Sequence, residues 1–233
     1  MDFTNFKNLI TFGCSHTWGA CMPDIFDPKD KHGQQRHDGK IYPSKYAWGN
    51  IVASLFGLTH NNQAMAGASN RYILYKILNH DYDKDVVCIL WSHTHRHTVF
   101  KSEKRYENWG PFSVDTSKAA KMWYQHCYQS YDSILDTAQC INHAMLYLNS
   151  KNIPNYHILQ TKQGKDLFKG FPKEPIRYIL DSKIQNVFFD EFRRIPPLAL
   201  DNKHAGEKAH RKFGKAVARS ILNNKQITIG ELL

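Results

Sequence analysis

The run Val86-Val87-Cys88-Ile89-Leu90-Trp91 does most to limit what this chain can become. Its apolar residues do not alternate with polar ones, as they would in a strand with one wet face. Such a run is expected to be buried on both faces, which is the situation of an inner strand in a parallel sheet. Parallel neighbours need long crossover connections, usually helical, and the rest of the chain supplies candidates. Asn8 to Phe12 reads as a first strand that stops at Gly13. Tyr46, Ile51, Val52, Leu55 and Phe56 recur at helical spacing between Ser44, a candidate N-cap, and Gly57, a natural stop. Leu58 to Ala66 reads as a short strand and turn, and Tyr72, Ile73, Ile77 and Leu78 mark a second helix. The spacing from about Ser117 to Ser150 predicts one long helix. Tyr156 to Leu159 is expected as a further strand, and Phe213, Val217 and Ile221 line the apolar side of a last helix. Strands alternating with helices predict one three-layer α/β domain over residues 1–233.

Two stretches stand outside that alternation. Residues 20–43 are broken by Pro23, Pro28, Gly33, Gly39 and Pro43, and loops of this length are often functional. Residues 100–116 open an aromatic-rich region running from Phe100 to Tyr131, read as the core of an excursion or as a surface for stacking sugars. Residues 161–198 show no period.

Composition narrows the class. Hydrophobic residues make up 42% of the chain, enough for a core and too many for global disorder. No apolar run approaches the roughly 20 residues of a membrane helix. The N-terminus lacks a signal-peptide pattern, so a cytoplasmic protein without membrane contact is expected. The five cysteines show no CxxC spacing, which points to reduced thiols rather than disulfides or structural zinc. The formal net charge is +10, and part of the excess lies between Arg193 and Lys225. That segment is expected to be a solvated basic helix face, with contact to a polyanion as the functional reading.

Three features carry candidate chemistry. Ser15 lies two residues past Gly13, at the C-terminal end of the first strand, where open α/β sheets bind ligands. A serine held there is placed to be a nucleophile. Asp201 and His204 lie three apart before the last helix, so one loop can present a general base and the carboxylate that orients it. Gly67 follows the second strand, where an unhindered backbone N–H can stabilise an oxyanion. Each feature alone also reads blandly, as a turn serine, a surface histidine beside a turn aspartate, and a turn glycine.

Taken together, in this order, the blocks resemble those of the SGNH (GDSL-type) hydrolases. Gly13-Cys14-Ser15 is similar to that family's Gly-Asp-Ser block, with cysteine in place of aspartate. Asn62-x-Ala64-x-x-Gly67-x-Ser69-Asn70 resembles its second block, and Asp201-x-x-His204-Ala205-Gly206 its last. The third block departs. Where the family carries Gly-x-Asn-Asp, this chain reads Trp91-Ser92-His93-Thr94, without the asparagine that donates to the oxyanion. The resemblance implies a flavodoxin-like three-layer α/β/α sandwich with a central parallel sheet of about five strands. It implies a serine ester hydrolase, with Ser15 as nucleophile, His204 as base and Asp201 orienting it. Ser15 and Gly67 would supply oxyanion N–H groups, helped by His93 or Ser92. The implied substrate is a small acyl ester, on a carbohydrate or another polar carrier, and no metal or organic cofactor is required. An acyltransferase using the same triad, or an inactive SGNH scaffold serving as a binding module, is the alternative. Cys14 is read as packing. His93, His95 and His97 are read as a polar loop beside the site, ahead of a metal cluster. Oligomeric state is left open.

Overall fold

The computed structural model describes residues 3–26, 42–102, 105–160 and 192–223. In chain order the elements are β1 (Asn8–Phe12), α1 (Ser15–Trp18), α2 (Trp48–Phe56), β2 (Thr59–Asn62), α3 (Asn70–Leu78), β3 (Asp85–Leu90), β4 (His97–Ser102), β5 (Arg105–Trp109), α4 (Lys118–His126), α5 (Ser130–Ser150), β6 (Asn155–Ile158) and α6 (Glu207–Asn223). Four strands form a parallel sheet in the order β2-β1-β3-β6. The apolar run is its centre: every residue of β3 is buried, because neighbours flank it and helices cover both faces.

Strand alternation sorts the core into two halves. Val86, Cys88 and Leu90 pack with Leu9, Trp48, Val52, Phe213 and Val217, which is the α2–α6 side. Val87, Ile89 and Trp91 pack with Ile10, Phe12, Ile73, Ile77, Ile141 and Leu148, the α3–α5 side. Three layers follow, as a sheet hydrophobic on both faces requires. The four strands fall short of the expected five or so; residues 161–191, after β6, lie outside the described residues. Most of the 20–43 excursion lies outside them too.

Other expectations change in instructive ways. Ser44 does not cap α2; Ala47 stands at that position. The Ser44 hydroxyl instead donates to Asp24 Oδ1 at 2.6 Å and accepts from the Tyr46 N–H at 3.0 Å, tying the end of the excursion to its start. Gly57 does end the helix, at φ 68. The long helix is two. Ser117 caps α4 through the Ala120 N–H, and the chain turns at Cys127 before α5 begins. Strands β4 and β5 pair antiparallel and lie on α3, with Tyr106 against Tyr72 and Phe100 against Tyr75. Ser69 and Thr98 share a hydrogen bond at 2.6 Å across that contact. Phe100 and Tyr106 therefore pack against the core.

Candidate active site

The strand ends β1, β2 and β3 converge on one edge of the sheet, and the sequence-predicted residues stand there. Gly13 takes the chain from β1 into α1. A Cβ at that position would sit 2.1 Å from Thr17 Oγ1 and 3.0 Å from the Leu90 carbonyl oxygen, so only glycine lets the turn close this tightly. Ser15 is the first residue of α1 and is buried, with Cys14 at the N-cap position. Cys14 Sγ points inward to Gln160 Oε1 at 3.8 Å, consistent with packing. Asn62, at the end of β2, holds the far side of the turn: its side chain donates to the Thr17 carbonyl at 2.8 Å and accepts from the Ala64 N–H at 3.1 Å. Gly67 lies beyond it with φ 79.

Asp201 and His204 occupy a tight loop before α6. The Asp201 carboxylate accepts from the N–H groups of Lys203 and His204, both at 3.0 Å, and from His204 Nδ1 at 2.7 Å. A carboxylate can only accept, so Nδ1 carries a proton, and in the neutral ring the lone pair falls on Nε2. Burial works to raise the Asp201 pKa, but these three hydrogen bonds outweigh it and bring it down to about 2. The loop is closed by Ala199 N–H to the His204 carbonyl at 3.0 Å and anchored by Leu200 N–H to the Cys21 carbonyl at 3.1 Å. Gly206 permits the closure, since a Cβ there would sit 2.1 Å from the Pro197 carbonyl oxygen.

The two halves meet through His16, the neighbour of Ser15. Its ring lies 5.4 Å from that of His204. Burial, then the charges of His204, Arg96, His210 and His93, hold its pKa well below the ordinary value. Arg96 and His93 bring the loop after β3 to this point. His93 is pushed down to about 3 by burial and then by Arg96, His95 and Arg193. It is therefore a neutral imidazole with one N–H near neutral pH. Its ring stacks on His95 at 5.1 Å, while His97 turns away and stacks on Trp123 at 4.5 Å. The three histidines do not converge as ligands.

Two residues that sequence reasoning passed over shape this edge. The Asn70 side chain accepts from the Ser92 N–H at 2.7 Å and donates to the Ser92 carbonyl at 3.1 Å, locking the loop after β3 onto α3. Arg96 Nη1 donates to Ser92 Oγ at 3.2 Å, which leaves the serine's own proton to be donated elsewhere. Asn70 was visible in the second block without a stated role. Arg96 had no signal beyond lying in the loop that lacks the asparagine.

No family model and no curated protein sequence matches this chain. Solved structures do. An acetyl xylan esterase, Est2A from Butyrivibrio proteoclasticus, superposes with a TM-score of 0.56 at 12% identity over 94% of this chain and 64% of that one. A G-D-S-L-family lipolytic protein from Desulfitobacterium hafniense gives 0.51 at 11% identity, covering 91% of this chain and 98% of that one. The esterase EstA from a Pseudoalteromonas species gives 0.51 at 12% identity, with 94% and 100% covered. The chain thus has the fold of the SGNH hydrolases.

Proposed function

We propose that the protein is a serine ester hydrolase. The observation that carries this reading is the Asp201–His204 pair, bonded at 2.7 Å, on a loop that brings the His204 ring to 5.4 Å from that of His16, next to Ser15. His204 Nε2 takes the proton of Ser15 Oγ as the oxygen attacks the acyl carbonyl, and later returns it to the leaving alcohol. Asp201 holds the tautomer and stabilises the imidazolium. The tetrahedral oxyanion is met by the N–H groups of Ser15 and Gly67. In place of the missing asparagine, the Ser92 hydroxyl, backed by Arg96, or the neutral His93 N–H donates. One such donor is worth on the order of 3 kcal/mol of barrier. Water then releases the acyl group.

The substrate class is a small acyl ester such as acetate on a polar or carbohydrate carrier. The support is indirect: acetyl xylan esterase is among the proteins sharing this fold, and Trp109 and Trp123 lie near the loop after β3 through His97. The reading is tested with a fluorophosphonate probe and p-nitrophenyl acetate. Labelling at Ser15 and turnover lost in Ser15→Ala support it; a wild type that neither labels nor exceeds Ser15→Ala overturns it.

A second reading keeps the fold and drops the chemistry. Lys208, Arg211, Lys215 and Arg219 are exposed along α6, and Arg211 is paired with Glu207 at 2.7 Å. Such a face suits an anionic glycan or nucleic acid. Salt-sensitive binding to heparin or RNA, unchanged in Ser15→Ala, would favour it. No helix among the described residues is long and apolar enough to cross a membrane.

A further inference from the structure

Beside the base lies a thiol that the chemistry above does not use. The sulfur of Cys21, a carboxylate oxygen of Asp201 and a ring nitrogen of His204 all lie within 4.8 Å of one another. We propose that these three side chains form a binding site for one soft divalent cation of the zinc class, and that filling it switches the hydrolase off. The inhibitory half of this proposal rests on the function proposed above; the binding half does not.

Geometry is the first support. Zinc bond lengths of about 2.0–2.3 Å place tetrahedral ligand atoms about 3.3–3.7 Å apart. At the outer limit of 4.8 Å a pair must close by about 1.1–1.5 Å, a movement that falls to side-chain rotation on a fixed backbone. It is the one His/Cys/Asp/Glu group with this spacing among the described residues. Three protein ligands with water in the fourth place is a normal coordination for zinc.

The second support is rigidity. Cys21 is buried, at φ 62, in a backbone conformation that non-glycine residues seldom adopt. It packs with Ala20 and Ala199, with Trp18 and Phe26 over them. Its carbonyl accepts from Leu200 N–H, so thiol and Asp201–His204 loop are fastened to each other through the backbone. The backbone is thus held in advance, and only side-chain rotamers remain to be ordered when a cation arrives. The third is ligand chemistry. A thiolate with an imidazole selects zinc or cobalt over magnesium and calcium, which prefer all-oxygen sites.

Proton accounting is simple. The carboxylate is already ionised, and the imidazole binds as the neutral ring through the nitrogen that carries no proton, its single N–H staying on the other nitrogen. The thiol must lose its proton, so each cation bound releases one proton and nothing is oxidised or reduced. Coordination engages His204 and Asp201 together, so the base can no longer be oriented toward Ser15.

The test uses the full chain, freed of metal with a chelator and then titrated with zinc chloride in a calorimeter and with cobalt(II) in a spectrophotometer. One zinc per chain is expected, with a thiolate-to-cobalt charge-transfer band in the near ultraviolet. Changes outside the first coordination sphere already cost about 10- to 100-fold in affinity, so Cys21→Ser is expected to lose the band and bind zinc at least about 100-fold more weakly. Asp201→Asn, which keeps the side-chain shape, should weaken binding by about 10-fold or more and serves if Cys21→Ser does not fold. Absence of one-to-one binding, or a band and affinity untouched by both variants, overturns the site. In parallel, the zinc concentration that halves p-nitrophenyl acetate turnover should follow the calorimetric Kd and rise in Cys21→Ser. Binding with turnover indifferent to zinc overturns the inhibitory role. A metal-free protein without turnover overturns the hydrolase reading, while calorimetry and the cobalt spectrum still decide the site.

Discussion

His157 and His204 stand at opposite extremes of what one side chain can do in the same fold. His157 lies within β6, fully enclosed. Its Nδ1 accepts from Trp91 Nε1 at 3.0 Å and its Nε2 donates to Asn155 Oδ1 at 2.9 Å. Both ring nitrogens are used, and burial pushes its pKa down to about 3. His204 sits at the sheet edge, only half-buried, with a carboxylate on Nδ1. The first histidine is a strut and cannot take a proton without breaking a hydrogen bond. On the function proposed above, the second is the proton acceptor. The difference lies in the partners, a neutral indole and amide against a carboxylate.

The largest expected break in this comparison is Asp201→Asn. An amide in place of the carboxylate favours the wrong tautomer and removes the imidazolium's counter-charge, so kcat for p-nitrophenyl acetate should fall about 10⁴-fold with little change in fold. The mirror experiment, His157→Leu, should leave turnover per folded molecule alone and cost about 2–4 kcal/mol in urea unfolding. It strands the Trp91 indole N–H and the Asn155 carbonyl in the interior.

The two regions should also separate on a pH axis. His157 and His210 have native pKa values of about 3, and His60 about 4, each lowered first by burial from 6.5. The native state then binds fewer protons than the unfolded chain between pH 6.5 and the native values. Stability is full above pH 6.5 and is lost as pH falls toward 3, at up to about 1.4 kcal/mol per pH unit for each such histidine. Asp201 acts in a lower window, contributing stability above pH 3.8 that disappears as pH falls through about 2. Urea midpoints measured across pH should show the upper loss shrink in His157→Leu and the lower one shrink in Asp201→Asn. A smaller effect belongs to the support of the edge. Ser69→Ala removes the N-cap of α3 and the bond to Thr98, and should cost about 1 kcal/mol without changing either pH window.

Much of the scaffold was legible because it is written in periods. The unbroken run ending at Trp91 is β3, the first strand ends at Gly13, and Gly57 stops α2 as read. What escaped were choices between equally good local options. Ser44 looks like a cap, but Asp24 offers its hydroxyl a better partner. Residues 117–150 carry one helical pattern, yet the chain turns at Cys127 between two helices. Strands β4 and β5 gave no clean alternation, since their faces meet α3 on one side and Trp123 on the other. At the candidate site, Ser15, Asp201, His204 and Gly67 were legible as short blocks with fixed spacing. Arg96, Asn70 and Cys21 were not, because each acts across the fold on a residue distant in sequence or on the loop that carries it.

Hydrophobic periodicity and a few glycines therefore determined the layers, the parallel sheet and the strand ends where chemistry can sit. These are properties of neighbouring residues, and the sequence states them directly. Tertiary structure alone decided that the Asp201–His204 loop meets Cys21 and His16, that Arg96 backs Ser92, and that His157 is held by two neutral partners while His204 faces a carboxylate. Those outcomes depend on contacts between segments up to about 190 residues apart, where hydrogen bonding and burial are set by packing and not by spacing.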